Sequence, residues 1–208
     1  MTIEEEIKLS IRDVANFPKD GIIFKDITPI MMNPTLSNKV VDHLVELYKD
    51  KEIDLIAGIE SRGFLFGYPL AMRLGIPFVL IRKKGKLPYD KISHEYSLEY
   101  GTASIEMHTD AISKGQRVLV HDDLLATGGS AEAAAILIQQ SGGEIAGFNF
   151  LVGLNFLNGK EKLLNFSHNI INTINRVKPS SSSPPPSPSP YNTVPRRTAQ
   201  TGKSSYRT

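Results

Sequence analysis

The chain has 208 residues, 40% apolar and 22% charged, which fits one soluble domain or at most two. Its 24 basic and 22 acidic residues give a formal charge of +2, but five basic residues and no acid fall in 177–208, so residues 1–176 carry 19 against 22, a net −3. That balance argues against nucleic acid as a partner, and the absence of cysteine excludes disulfides and thiolate metal sites. No apolar run approaches the roughly 18 residues of a membrane span. The acidic, helix-like start from Met1 to Lys8 does not read as a secretory signal, so a cytoplasmic protein without membrane contact is expected.

In chain order, an amphipathic helix is expected over 3–15 and a second over 36–49. A buried strand follows at 54–59, then a helix over 63–74 closed by Gly75 and Pro77, and a strand at 78–82. Residues 83–101 are polar, with no clear period, and read as a lid loop or as a β-hairpin arm. Strands are expected at 104–108, 117–121 and 145–154, with a helix over 129–140. This alternation, with fully apolar strands, predicts an α/β fold: a mostly parallel sheet flanked by helices. Residues 177–208 hold seven of the 13 prolines and eight serines and almost nothing aliphatic. They read as a disordered Ser/Pro-rich basic tail beyond a domain of 1–176.

The richest segment is Asp122-Asp-Leu-Leu-Ala-Thr-Gly-Gly-Ser130, at the end of an apolar strand and the start of a helix. In open parallel sheets ligands bind beyond the carboxyl ends of the strands. The two glycines let backbone amides converge, Thr127 and Ser130 add hydroxyls, and a helix N-terminus favours an anion. The segment is therefore expected to cradle a monophosphate, although it is neither a Walker A loop nor a dinucleotide fingerprint. Asp122 and Asp123 would repel phosphate, so they are expected to face a sugar diol or a magnesium ion on the same ligand. A second strand end carries Glu60, Ser61 and Arg62, and a third carries Arg82, Lys83 and Lys86. Together they suggest a ligand with phosphate at one end and more anionic charge at the other.

These residues also carry a resemblance. Phe17-Pro, Gly21-Ile-Ile-Phe-Lys-Asp-Ile27, Ser61-Arg-Gly-Phe-Leu-Phe-Gly67 and Arg82-Lys-Lys-Gly-Lys-Leu-Pro88 resemble stretches of the adenine phosphoribosyltransferases. So do Ser97-Leu-Glu-Tyr-Gly101, the Asp122–Ser130 segment and Gly159-Lys-Glu-Lys-Leu163. The resemblance covers almost all of 3–175. It implies a type I phosphoribosyltransferase-like fold with a small N-terminal hood over about 1–34 and a flexible lid over about 83–101. It also implies a homodimer that converts adenine and phosphoribosyl pyrophosphate to AMP and pyrophosphate with magnesium, a purine-salvage reaction.

Carried over by residue, the resemblance implies that Ala126, Thr127, Gly128, Gly129 and Ser130 cradle the 5-phosphate, while Asp122 and Asp123 hold the ribose hydroxyls. Glu60, Ser61 and Arg62 would form the pyrophosphate loop, helped by Arg82, Lys83 and Lys86. Ile23, Phe24 and Lys25 of the hood would meet adenine, with Leu157 on its other face. Glu99, Tyr100 and Arg62 would serve catalysis, and magnesium would be held mainly by substrate and water near the two aspartates. Four positions depart from the family: Lys25 stands for arginine, His121 for an aliphatic residue, Ser130 for threonine and Gly153 for glutamate. His121 is expected to be a strand residue, because no second histidine has metal-like spacing. Two other readings are a phosphoribosyltransferase for another purine base and a regulatory protein that binds phosphoribosyl pyrophosphate. The basic tail is what favours the second.

Overall fold

The computed structural model describes residues 1–97 and 101–176, and all of them fall within one contact unit, Met1–Lys178. The first helix, α1 (Ile3–Ser10), starts in a reciprocal cap: Thr2 Oγ1 accepts the Glu5 amide at 3.3 Å, and Glu5 Oε2 accepts the Thr2 amide at 2.8 Å. The helix expected to reach residue 15 stops at Ser10, and β1 (Arg12–Ala15) pairs antiparallel with β2 (Ile23–Asp26). Ile11 and Val14 suit a helical period, but a tight turn brings Phe24 opposite Val14. In that turn Gly21 adopts φ +82° and donates its amide to Asn16 Oδ1 at 3.0 Å.

Next come α2 (Thr28–Met31) and α3 (Pro34–Tyr48), the latter capped by Asn33, whose Oδ1 accepts the Leu36 amide at 3.1 Å. They are followed by β3 (Leu55–Ile59), α4 (Gly63–Leu74), β4 (Phe78–Lys83), β5 (Lys91–Ser97) and β6 (Thr102–His108). The chain continues through β7 (Arg117–Leu125), α5 (Gly129–Gln140), β8 (Glu144–Leu154), a 3-10 turn at Asn155–Leu157, α6 (Gly159–Leu163) and β9 (Ile170–Arg176). The main sheet has the order β5-β6-β4-β3-β7-β8-β9. Its five strands from β4 to β9 are parallel, as the apolar runs implied, and β5 and β6 form an antiparallel arm on the β4 edge.

Two features shape the site. Of the two readings of residues 83–101, the hairpin arm describes residues 91–97, which form β5 antiparallel to β6 with Ile92, His94 and Tyr96 half-buried in alternation. Strand β7 runs four residues past His121, because its pairing with β8 continues through Asp122 opposite Phe150 to Leu125 opposite Gly153. The two acids therefore sit inside the sheet rather than at its frayed end.

The sheet has a core on each face. On one side, α5 packs Ala134, Leu137 and Ile138 against Val118, Val120 and Phe148. On the other, α3 and α4 pack Val40, Leu44, Phe66 and Leu70 against Ile56 and Leu119. Each such large side chain is worth about 1.5–3 kcal/mol over exposure. Helix α4 lies close to the sheet because it presents glycines. A Cβ at Gly63 would stand 2.6 Å from the His121 carbonyl oxygen, and one at Gly67 would stand 2.9 Å from Phe78 Cε2. This approach sets the start of α4, and so Arg62, against the acids of β7.

Candidate active site

The acids and Arg62 form the centre. Arg62 Nε lies 3.2 Å from Asp123 Oδ2, and Asp122 Oδ1 accepts the Asp123 amide at 2.8 Å. Burial raises both carboxyls above the ordinary aspartate range. The Asp123 charge adds to the rise at Asp122, whereas Arg62 opposes it at Asp123. A buried Asp123 paired with Arg62, and a half-buried Asp122 beside it without a cationic partner of its own among the described residues, are suited to a ligand that donates hydrogen bonds, such as a diol, or to added positive charge.

The hood hairpin reaches the same place. The Arg62 guanidinium stacks over the Phe24 ring at 5.0 Å from its centroid, and Phe17 meets Phe24 edge-on at 5.2 Å. Ile23 is 40% exposed at the start of β2. Lys25, two residues further along that strand, is buried with its ammonium 2.6 Å from Asp13 Oδ2, its partner across the hairpin. Leu157 ends the 3-10 turn after β8 and is half-buried.

The β3 and β4 strand ends are tied to each other. Glu60 Oε2 accepts Arg82 Nε at 3.0 Å and the Lys83 amide at 3.1 Å, and Arg82 Nη1 donates to the Lys86 carbonyl at 2.9 Å. Burial pushes the Glu60 carboxyl up, but the Arg82 and Lys83 donors outweigh it and hold the group below its usual range. Buried Glu106 on β6 accepts the Gly85 amide at 2.9 Å. The basic turn is thus a built feature, with Lys83 and Lys86 exposed upon it.

After β7 the chain turns through Ala126, Thr127 and Gly128 into the first turn of α5, which contains Gly129 and Ser130. Gly128 has φ +79°, and a Cβ there would stand 2.6 Å from the Gly159 carbonyl oxygen. A Cβ at Gly159 would in turn strike the Ala126 carbonyl, so α6 buttresses the loop from behind. A cavity of about 90 Å³ at this helix start is lined by Asp122, Thr127, Ser130 and Tyr96. A larger cavity of about 540 Å³ lies between α6 and β9, lined by Asn155, Asn158, Asn172 and Asn175. Neither cavity is lined by Arg62 or Asp123, but Asp122 and residues 126–130 line the smaller one, which sets that cavity beside the acid pair.

Of the sequence-expected residues, the structure gathers Phe24, Arg62, Asp122 and Asp123 into one contact chain and Glu60, Arg82 and Lys83 into another. Glu99 and Tyr100 lie outside the described residues. Sequence reasoning missed Tyr96, whose hydroxyl is 3.0 Å from Ser130 Oγ, and Asn149, whose Oδ1 is 2.7 Å from His121 Nδ1. The period-two alternation of 91–97 would have signalled Tyr96. Nothing local points to Asn149, because the pair forms across two strands.

The phosphoribosyl transferase domain family matches residues 30–175. The adenine phosphoribosyltransferase of Cytophaga hutchinsonii is 51% identical over 173 residues, which cover 83% of this chain and 96% of that protein. The crystal structure of adenine phosphoribosyltransferase from Thermoanaerobacter pseudethanolicus matches with a TM-score of 0.80 at 49% identity, covering 83% of this chain and 99% of the other. The Saccharomyces cerevisiae enzyme, solved with adenine and an imino-altritol bisphosphate, matches with a TM-score of 0.77 at 41% identity over 83% of this chain and 98% of its own. The parallel sheet with its flanking helices is the type I phosphoribosyltransferase fold. Identity near one half along most of both chains, on the same fold, means that the chain belongs to the adenine phosphoribosyltransferase family.

Proposed function

We infer that this chain is a pentosyltransferase of purine salvage, which moves the phosphoribosyl group of phosphoribosyl pyrophosphate to adenine and yields AMP and pyrophosphate. The observation that carries the reading is Arg62, which is held between the Asp123 carboxylate and the Phe24 ring at the junction of β3 and α4. One cation there touches both Asp123 of the acid pair and Phe24 of the hood.

The reaction breaks the bond from the anomeric carbon to pyrophosphate and forms one to adenine N9, which gives up its proton. Positive charge builds on the ribose and negative charge on the leaving group. Residues 126–130 are suited to the 5-phosphate, and Asp122 and Asp123 to the ribose hydroxyls. Glu60 to Arg62, with Arg82, Lys83 and Lys86, are suited to the pyrophosphate. Ile23, Phe24, Lys25 and Leu157 would bound the adenine. Glu99 and Tyr100 would come to the reaction centre from 83–101, with Glu99 steadying the ribose cation or taking the adenine proton.

Among the described residues no cluster of three His, Asp or Glu side chains is placed to hold a metal. Two adjacent carboxyls short of positive charge nevertheless fit magnesium, which commonly takes few protein ligands and several from phosphates and water. Magnesium carried by the substrate would neutralise charge on the departing pyrophosphate.

A homodimer is the proposed assembly. Leu65, Tyr68 and Met72, three and four residues apart on one face of α4 in the helix that follows Arg62, are 41–64% exposed and form an apolar stripe. A second copy covering this stripe would buttress the start of α4. Met72→Glu should raise the dimer dissociation constant roughly tenfold or more, read by sedimentation, and a monomeric unaltered protein would refute the assignment.

No helix among the described residues is long and apolar enough to cross a membrane. We propose the cytoplasm as the compartment, on the cysteine-free composition and the highly charged proposed substrate. The test of function is AMP formation from phosphoribosyl pyrophosphate, magnesium and each purine base, with full-length protein and a 1–176 truncation. AMP from adenine and no product from hypoxanthine or guanine is the expected result. Binding of phosphoribosyl pyrophosphate without turnover would favour the regulatory reading.

A further inference from the structure

Tyr96 has no part in the roles given above, yet it sits against the phosphate loop. It lies on β5, the outer strand of the arm, and a Cβ at Gly129 would stand 3.4 Å from its Cδ2. Its hydroxyl is 3.0 Å from Ser130 Oγ, and both residues line the cavity of about 90 Å³. Either hydroxyl can donate in this pair.

An anion removes that freedom. Ionised phosphate oxygens accept hydrogen bonds, so Ser130 O–H turns toward the ligand, and the Ser130 oxygen then accepts from Tyr96 O–H. The result is a directed chain from Tyr96 through Ser130 to phosphate, in which each bond polarises the next and the last is strengthened by charge.

We propose that Tyr96 is a positioning residue for the 5-phosphate: through Ser130 it orients a donor in the cradle and ties the β5–β6 arm to phosphate occupancy. The proposal rests on the reading of 126–130 as the 5-phosphate cradle. It gives the arm a part in ligand binding, and strand β5 leads in sequence toward Glu99 and Tyr100, the residues proposed for catalysis.

The experiment titrates ribose 5-phosphate and, separately, inorganic pyrophosphate into full-length protein by calorimetry, with variants of matched melting temperature. Tyr96→Phe should weaken ribose 5-phosphate roughly three- to tenfold, the scale of one hydrogen bond, and leave pyrophosphate unchanged. Ser130→Ala should do the same, and the double variant should bind no more weakly than Ser130→Ala alone. In turnover, KM for phosphoribosyl pyrophosphate should rise while KM for adenine stays constant. Undiminished ribose 5-phosphate affinity in Tyr96→Phe, additive losses in the double variant, or equal weakening of pyrophosphate would overturn the proposal while the cradle stands. An unaltered protein that does not bind ribose 5-phosphate would remove the cradle itself, and the proposal with it.

Discussion

Arg62→Ala is expected to lower kcat/KM for phosphoribosyl pyrophosphate by about two to three orders of magnitude, the cost of losing one donor aimed at developing negative charge. The guanidinium has two neighbours whose responses differ. Phe24 loses a stacked cation, which at a partly exposed site is worth about 0.5–1 kcal/mol. Asp123, 2% exposed, loses its partner. Breaking a fully buried pair costs about 3–5 kcal/mol, but Arg62 is 35% exposed, and the Asp123 carboxyl is already raised by burial. It can take up a proton rather than remain an unpaired charge, so the melting temperature should fall far less than the rate. Arg62→Lys should recover only part of the activity, since it keeps the charge but not the planar fork or the stacking. Steady-state kinetics with phosphoribosyl pyrophosphate varied, beside thermal melts, would check this. Unaltered kcat/KM in Arg62→Ala would remove the residue from pyrophosphate stabilisation.

The parallel half of the fold was readable because its signals are local. Strand β3 is apolar throughout, and helices α4 and α5 start at glycines, so the expected 63–74 and 129–140 match the observed Gly63–Leu74 and Gly129–Gln140. The hood was misread because residues 11–15 satisfy two periods, and the choice between them is made by Phe24 and Lys25 further along the chain. Strand β9 escaped notice because Asn172 and Asn175 interrupt its apolar pattern. In the site, acids, glycines and basic residues announce themselves by type. The tie of Lys25 to Asp13 and the packing of Tyr96 on Gly129 depend on chain crossings that no window of sequence contains.

The glycine at 153 shows the same limit from the other side. Its departure from glutamate had no rationale in sequence. In the structure Asn172 and Asn175 fill the space, joined by an Nδ2 to Oδ1 bond of 3.0 Å, and a Cβ at 153 would strike the Asn172 amide. The glycine and the asparagine pair on β9 are therefore one arrangement. Restoring glutamate alone would displace the Asn172 and Asn175 side chains, which are partly exposed and can swing aside into the cavity they line, so the melting temperature should fall only slightly.

His121 is the departure with the larger thermodynamic consequence. Its ring stands in the α3–α4 side of the core, with Nδ1 2.7 Å from Asn149 Oδ1 on β8 and Tyr48 close to the same asparagine. Burial drives the imidazole pKa down to about 4, against the hydrogen bond that Asn149 Oδ1 accepts from His121 Nδ1, which favours the proton. In the unfolded chain it titrates near 6.5, so between those values the unfolded state binds a proton that the folded state refuses. Stability therefore falls as pH falls, by roughly 1.4 kcal/mol per unit and about 3 kcal/mol across the window. Asp122 and Asp123 act in the opposite sense. Their raised values make the folded state hold protons that the unfolded chain has shed, so their contribution is present at low pH and lost as pH rises through the folded values. A bare pH–stability curve mixes the two slopes, and a variant that removes only the histidine separates them. His121→Val combined with Asn149→Val deletes both members of the pair. The buried Tyr48 hydroxyl also loses Asn149, but burial raises that hydroxyl above its usual range, so its loss does not vary with pH here. Between pH 7 and 5, urea midpoints should show the unaltered protein losing about 2 kcal/mol more than this double variant. Equal losses would mean that the fold admits the histidine proton, with His121 and Asn149 rearranging to hold it.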